Sequence, residues 1–282
     1  MAVATQLPLG RSARKRRAAR QGALTPASAL GLGVAMVWFS LLVLIPLSAV
    51  VVKATGGGLD TYVNTLTNPQ TLNAIKLTVL TSLAVTALNM VMGTTIAWVL
   101  VRDRFWGKRA IDVIIDVPFA MPTIVAGLVL LALYGPQSPI GVDVANTRAA
   151  VFLAFAFVTL PFVVRTVQPV LEEMDRDVEE AAASLGASRF TTLRRIVLPT
   201  LTPAIFAGAA LSFARGISEY GSLVLLSGNL PNRTEVVSVR MLSYLEGGNP
   251  SQAAAAATIM LVVALLAIVT LDIIQRKVAK RG

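Results

Sequence analysis

Six long apolar segments constrain the fold of this chain more than any other feature of its sequence. A helix needs about 20 predominantly apolar residues to cross the hydrocarbon core of a bilayer. Lipid cannot hydrogen-bond to an exposed backbone, so such segments cross it as α-helices. The sequence therefore predicts an all-α polytopic membrane protein with six transmembrane helices. In chain order, the predicted spans are about Ala29–Val52, Leu77–Val101, about Ile111–Tyr134, Ala149–Val164, about Pro203–Leu226 and about Ala253–Ile274.

Prolines within these segments indicate where a span departs from a straight helix. Pro118 and Pro122 both lie in the third span, which predicts a kink whose freed carbonyls are satisfied by neighbouring helices. Pro161 lies near the end of the fourth span. The first span is expected to be an uncleaved helix, because its apolar run exceeds the roughly 7–15 residues of a secretory signal.

Composition excludes several classes of protein. Only 14% of the 282 residues are charged, against about 25% in soluble domains, so no soluble domain is predicted. The absence of cysteine and histidine excludes disulfides, zinc sites and catalysis by Ser-His-Asp or Cys-His groups. Gly107 and Lys108 lack the earlier glycine and the following Ser or Thr of a Walker A loop. We therefore expect no metal site and no cofactor in this chain, and energy, if the chain uses any, must come from a partner.

The positive charge lies mainly on one side of the predicted membrane. If the N-terminus is cytoplasmic, 19 of the 25 Lys and Arg residues are cytoplasmic, five are external, and Arg215 lies within a span. Because Lys and Arg accumulate in cytoplasmic loops, both termini are predicted to be cytoplasmic. The basic tail, residues 1–28, is expected to set this topology and to touch anionic membrane lipid. It contains no aromatic residue, which disfavours nucleic acid binding. Residues 29–282 are expected to form the membrane domain.

The longest polar interval between two apolar segments, residues 175–199, is predicted to contain two short helices joined by a turn. We expect Asp177 to cap the first helix, with Glu180 three residues later in a capping box. Gly186 marks the end of that helix, because glycine adopts the left-handed conformation at little cost. Ser188 is expected to cap the second helix, and Pro199 to close it. Composition alone would also permit an ordinary helix-turn-helix linker here.

The spacing of certain residues in this interval is more specific than its composition. The residues concerned are Glu180, Ala181, Ala182, Gly186, Ile196, Leu198 and Pro199. Their pattern resembles the EAA signature of binding-protein-dependent ABC importer permeases. The resemblance implies a cytoplasmic loop between helices 4 and 5 that docks onto an ATPase subunit. It also implies that these residues, together with Leu185, form or support the coupling contact, and we call residues 175–199 the signature loop.

Three longer stretches, residues 118–135, 157–187 and 214–231, resemble CysT-type permeases of sulfate/thiosulfate importers. The resemblance implies a translocation path for sulfate or thiosulfate across the bacterial cytoplasmic membrane, working by alternating access. It implies three kinds of partner: an ABC ATPase dimer, a second homologous permease subunit and an extracytoplasmic sulfate-binding protein. Molybdate permeases share the architecture and the EAA loop. Molybdate, tungstate or another oxyanion is therefore the alternative substrate.

Two ionisable residues, Arg215 and Glu219, lie within the fifth predicted span. Such residues are costly in a membrane, so their presence indicates a functional site. Together with Ser222 they could line a path for an anion. Their i, i+4 spacing places them on one helix face, where they could equally neutralise each other.

A stand-alone secondary transporter is a different class, which often carries acids in several spans for ion coupling. Here only the pair in the fifth span qualifies, because Asp112 and Asp116 lie near the start of the third span and are expected to be interfacial. Asn89, in the second span, is expected to form a hydrogen bond between helices. An intramembrane hydrolase is a third class, disfavoured by the absence of histidine.

Overall fold

The computed structural model describes residues 25–279, and these residues form eleven helices. The described residues from Val51 onward form one compact unit, and those up to Val50 belong to another. The predicted basic tail lies outside the described residues as far as Leu24. The helices are α1 Pro26–Thr55, α2 Gly58–Thr67, α3 Pro69–Arg102, α4 Lys108–Ala120, α5 Thr123–Tyr134, α6 Arg148–Glu173, α7 Arg176–Ser184, α8 Arg189–Ile217, α9 Gly221–Leu226, α10 Val237–Glu246 and α11 Pro250–Ala279.

Five of these helices, α1, α3, α6, α8 and α11, are long and apolar enough to cross a membrane. The prediction of an all-α membrane protein is therefore confirmed. Three predicted spans differ clearly in their bounds from the helices that form. The second begins as α3 at Pro69, eight residues before the predicted Leu77. The fourth continues as α6 to Glu173 instead of ending near Val164, because two prolines are accommodated inside the helix. The fifth begins before Pro203 and ends at Ile217, and the residues up to Leu226 form the separate helix α9.

The third predicted span is broken rather than merely kinked. Its two helices, α4 and α5, are bent by 120° at the break before Pro122. Helix α4 follows the end of α3 and contacts Arg165, in the second half of α6. At the other end, the Tyr134 carbonyl of α5 accepts a hydrogen bond from the Val144 amide, shortly before α6 begins. The pair therefore connects the end of α3 to the start of α6 and forms a sixth span in two pieces.

Two π-helical turns allow prolines to lie inside long helices. The segment Leu193–Val197 of α8 is π-helical and immediately precedes the turn that contains Pro199. Proline has no N–H, and its ring crowds the carbonyl four residues earlier, so a wider turn relieves the clash. The prediction that Pro199 closes the helix is wrong for this reason, since α8 continues beyond it. Helix α1 has the same arrangement, with a π-helical Ser40–Leu44 before Pro46.

Helices α3, α6 and α8 approach closely because small residues lie where their backbones meet. Val163 of α6 is fully buried between Gly93 of α3 and Gly208 of α8. A Cβ atom added at Gly93 would lie 2.8 Å from the Val163 Cβ, and one added at Gly208 would lie 2.8 Å from the Val163 Cα. Lipid provides no hydrophobic drive for helices to associate, so this close packing is a main source of stability.

One buried amide, that of Asn89, joins the same three helices. Its Nδ2 donates to the Thr159 Oγ1 of α6 at 2.8 Å and to the Ser212 Oγ of α8 at 3.1 Å. The predicted hydrogen bond between helices is therefore confirmed. The side chain is 1% exposed, so water does not compete for these bonds.

Replacing Asn89 with alanine should lower the free energy of unfolding by about 0.6 kcal/mol and by at most about 1.7 kcal/mol, the mean and the maximum for polar contacts between membrane helices. The reason is that the Ser212 hydroxyl would lose its hydrogen-bond partner among the described residues. Thr95→Ala is the matched control, because that exposed hydroxyl bonds only to the Val91 carbonyl of its own helix. Thermal unfolding in detergent measures both effects. Equal shifts for the two variants would contradict the joining role of Asn89.

Candidate functional site

The first helix of the signature loop, α7, is capped two residues earlier than predicted. The Asp175 carboxylate accepts a hydrogen bond from the Asp177 amide at 3.0 Å, and Asp175 has the extended backbone of an N-cap residue. The prediction that Asp177 caps this helix is therefore wrong, because Asp177 already lies in the first helical turn. The predicted capping box is absent as a consequence. Glu180 lies further along α7 with its side chain exposed.

Gly186 ends α7 as predicted. Its φ is +83°, the left-handed region that glycine adopts without strain. The Gly186 amide donates to the Ala183 carbonyl at 2.9 Å, and the Ala187 amide donates to the Ala182 carbonyl at 3.0 Å. These two bonds form a Schellman motif, which fixes the direction in which the chain leaves the helix. The Gly186 conformation thus sets the shape of the whole turn.

The second half of the signature loop merges with the fifth span. Ser188 caps α8 as predicted, since its Oγ accepts from the Thr191 amide at 3.2 Å. The helix then passes through the predicted residues Ile196, Leu198 and Pro199 without interruption. Val197, between them, is buried against apolar side chains of α3 and α6. The signature residues from Ile196 onward therefore belong to the packed helix, whereas those before Gly186 lie on the exposed helix α7.

The exposed part of the signature loop carries large apolar side chains. Leu185 is 89% exposed, and Phe190 is 69% exposed. Phe190 lines an open groove of about 730 Å³, together with Glu180 and Ala183 of α7. Ala181 is exposed and Ala182 is half-buried. Large apolar side chains exposed together in this way are typical of a surface that binds another protein.

Arg102, the last residue of α3, holds α7 in place. Its guanidinium forms an ion pair with Glu179, and its side chain is only 11% exposed. It also lies 5.7 Å from the ring of Trp98. Sequence reasoning counted Arg102 only as a topology charge, because nothing local links it to a residue 77 positions later. The contact connects the signature loop directly to the second span.

A second arginine, Arg165 of α6, holds α4. Its Nε and Nη2 donate to the two carboxylate oxygens of Asp116 at 2.7 and 2.8 Å. Its Nη1 donates to the Asp112 carboxylate at 2.7 Å and to Gln168 at 2.6 Å. Asp112 and Asp116 were predicted to be interfacial and not catalytic. Their side chains are 41% and 50% exposed, and both form ion pairs with Arg165.

Arg215 and Glu219, the ionisable residues predicted within the fifth span, form an ion pair, but they do not lie on one helix as predicted. The Arg215 Nη2 lies 2.6 Å from the Glu219 Oε2. The two residues do not share a helix face, because α8 ends at Ile217 and Glu219 lies in the break that follows. The Glu219 Oε1 accepts from the Ser222 amide at 2.9 Å and from the Ser222 Oγ at 2.8 Å. The buried carboxylate therefore neutralises Arg215 and also holds the start of α9.

The break that contains Glu219 packs against the break in the third span. A Cβ atom added at Gly221 would lie 2.9 Å from the Ile124 amide nitrogen. One added at Gly127 would lie 2.7 Å from the Ser222 carbonyl oxygen. The two discontinuous spans thus touch through their backbones, which only glycine permits at both positions. Ser222 is buried at this contact, and its assignment to a translocation path stays a prediction.

Comparison with known proteins places these features in a family. Residues 89–281 match the family described as binding-protein-dependent transport system inner membrane component. The chain is 38% identical over 263 residues to the sulfate transport system permease protein CysT of Salmonella typhimurium. This match covers 91% of this chain and 95% of the relative. It is 39% identical to CysT of Synechocystis, over 86% of this chain and 87% of the relative. A probable sulfate transport system permease of Nephroselmis olivacea is 42% identical to it, and the match covers 82% of this chain and 84% of the relative.

Solved structures show the same fold at lower sequence identity. A bacterial ABC transporter involved in the import of the acidic polysaccharide alginate has a chain with a TM-score of 0.73 and 18% identity. The match covers 88% of this chain and 94% of the transporter chain. A second structure of an alginate ABC transporter, in complex with a pentasaccharide-bound periplasmic protein, gives a TM-score of 0.74.

The double role of Glu219 predicts different results for two substitutions. Glu219→Gln keeps an oxygen that can cap α9 but leaves Arg215 without its counter-charge, so it should reduce the amount of folded protein in the membrane. Arg215→Gln introduced with it should partly restore that amount, because it removes the stranded charge. Glu219→Ala also loses the cap, so Arg215→Gln should rescue it less. Quantitative immunoblotting of membranes measures all four variants, and purely additive losses would contradict a mutual pair.

Proposed function

We propose a function from one premise: the chain belongs to the family of binding-protein-dependent transport system inner membrane components. It is a permease subunit of a sulfate ABC importer, a multi-pass membrane component rather than an enzyme. The observation that carries this conclusion is the identity to sulfate transport permeases across most of the chain. The molybdate alternative and the secondary-transporter alternative are not favoured, because these relatives transport sulfate and the matched family depends on a binding protein.

The importer is proposed to take energy from a separate ATPase that docks onto the signature loop and carries the ATP and Mg²⁺. Two features support this. The first helix of the loop ends in a Schellman turn at Gly186, and the loop exposes Leu185 and Phe190, of which Phe190 lines an open groove. Glu180, Ala181 and Ala182 lie on the same helix and would share the contact.

Two connections would carry motion of the docked loop into the spans, one through the continuous chain and one through an ion pair. One is α8, which runs without interruption from the loop to Arg215 and the break at Glu219. The other is the ion pair between Arg102 and Glu179, which connects α7 to the end of α3. Because Asn89 and the glycine contacts hold α3, α6 and α8 together, these helices would move as one body. We propose that this movement alternately opens the path to the two sides of the membrane.

The remaining partners follow from the same proposal. A second homologous permease subunit would complete the path, and an extracytoplasmic sulfate-binding protein would deliver sulfate and thiosulfate. The charge asymmetry supports an orientation with both termini and the signature loop cytoplasmic, in a bacterial cytoplasmic membrane. The docking face for the binding protein is then the opposite end of the bundle, where α6 begins.

Gly186→Val tests the coupling role of the loop. A β-branched residue at φ +83° is strained by about 1–2 kcal/mol, which is too little to prevent membrane insertion but enough to shift the turn. Membrane abundance should therefore stay near normal, while co-purification of the ATPase and uptake of labelled sulfate fall together. Gly186→Asn should retain both activities better, because asparagine tolerates the left-handed conformation.

Gly141→Val is the matched control for backbone strain. Gly141 also has a positive φ, +72°, and open space around it, but it lies in the loop between α5 and α6. This variant should keep ATPase association. Full ATPase association and full uptake in Gly186→Val would contradict the proposed coupling site. Loss of both in Gly141→Val would show that strain anywhere in the chain has the same effect.

A further inference from the structure

A pocket of about 570 Å³ lies at the opposite end of the bundle from the signature loop, where α3 and α6 meet residues 232–235. We call it the cationic pocket. Its rim carries Lys76, Arg148 and Arg233, and its wall is formed by Leu80, Ala84 and Phe152. The pocket lies at the end of the bundle proposed above to face the binding protein, but no step of transport has been assigned to these residues.

The rim has an excess of positive charge. Lys76, Arg148 and Arg233 are all exposed, and none of them forms an ion pair with another described residue. The Arg148 Nε donates to the Arg233 carbonyl at 3.2 Å, which leaves its other nitrogens available. Glu235, the acid that lines the pocket, is buried, and its Oε2 accepts a hydrogen bond from the side-chain Nε2 of Gln70 at 2.7 Å. The accessible charge of the pocket is therefore positive.

The depth of these cations matches the headgroup region of a membrane. Lys76 precedes Arg102 by 26 residues in α3, which corresponds to about 39 Å along a helix. Arg148 precedes Glu173 by 25 residues in α6, or about 38 Å. A bilayer is about 40–45 Å thick including its headgroups. If Arg102 and Glu173 lie at one interface, Lys76 and Arg148 lie at the other.

The wall of the pocket continues from the cations toward the hydrocarbon core. Leu80 and Ala84 follow Lys76 at intervals of four residues, so they lie below it on the same face of α3. Phe152 follows Arg148 in the same way on α6. Leu80 is 63% exposed. Each helix thus presents a cation at headgroup depth and an apolar surface one or two turns deeper.

We propose that the cationic pocket binds an anionic phospholipid, with its phosphate at the rim and part of an acyl chain along the wall. A lipid phosphate next to an acyl chain matches both parts of the pocket, since basic residues near a membrane surface attract anionic headgroups. A free sulfate ion would leave the apolar wall uncovered. In the proposed orientation this lipid lies in the outer leaflet. The proposal does not depend on sulfate transport and can fail without affecting it.

The test is lipid binding to the purified full-length chain in detergent, followed by native mass spectrometry. The chain is titrated with dioleoyl phosphatidylglycerol and, separately, with zwitterionic dioleoyl phosphatidylcholine. Combining Lys76→Gln, Arg148→Gln and Arg233→Gln should weaken binding of phosphatidylglycerol about a hundredfold. Lys53→Gln, which removes an exposed cation outside the pocket, should leave the affinity within about twofold. Lys76→Arg keeps the charge and should retain binding.

Two results would overturn the proposal. One is an unchanged affinity for phosphatidylglycerol in the triple variant. The other is displacement of phosphatidylglycerol from the wild-type chain by sodium sulfate but not by sodium chloride at the same ionic strength, which would identify the pocket as a site for free oxyanions. A preference for phosphatidylglycerol over phosphatidylcholine that disappears in the triple variant, with sulfate acting no more strongly than chloride, supports the proposal.

Discussion

The hydrogen bonds of one buried amide, Asn89, hold together the three helices on which the rest of the bundle depends. In lipid the helices gain little from burying apolar surface, so their association relies on close backbone approach and on polar contacts. Both occur at the same place here. Asn89 reaches α6 and α8 within one turn of Gly93, and Gly93 and Gly208 enclose Val163. This contact joins α3, α6 and α8.

The two candidate functional regions are attached to this group of helices in different ways. The signature loop is joined to it by the uninterrupted helix α8 and by the ion pair of Arg102 with Glu179. At the other end of α8 the chain breaks, and Glu219 bridges the break by binding both Arg215 and the start of α9. A rigid connection at the loop and an interrupted one within the membrane suit a subunit that receives motion at one end and changes shape at the other.

Local chemistry made part of this structure predictable from the sequence. The conformation at Gly186, the cap at Ser188 and the role of Asn89 each depend on one residue type and its immediate context, and all three are confirmed. The ion pairs of Arg102 and Arg165 join residues far apart in sequence, so no local pattern reveals them. Errors arose where two local signals competed. Asp175 and Asp177 are both good caps, and Pro199 ends a helix unless a π-helical turn precedes it.

Uptake of labelled sulfate by reconstituted vesicles tests the central claim most directly. The vesicles would contain this chain, its partner permease and the ATPase, with sulfate-binding protein supplied on the side opposite the signature loop. The account predicts uptake only when ATP is present on the side of the signature loop and the binding protein on the other, with inhibition by thiosulfate and little inhibition by molybdate. Uptake that proceeds without ATP or without the binding protein would contradict an importer permease. Stronger inhibition by molybdate than by thiosulfate would contradict the assignment of sulfate.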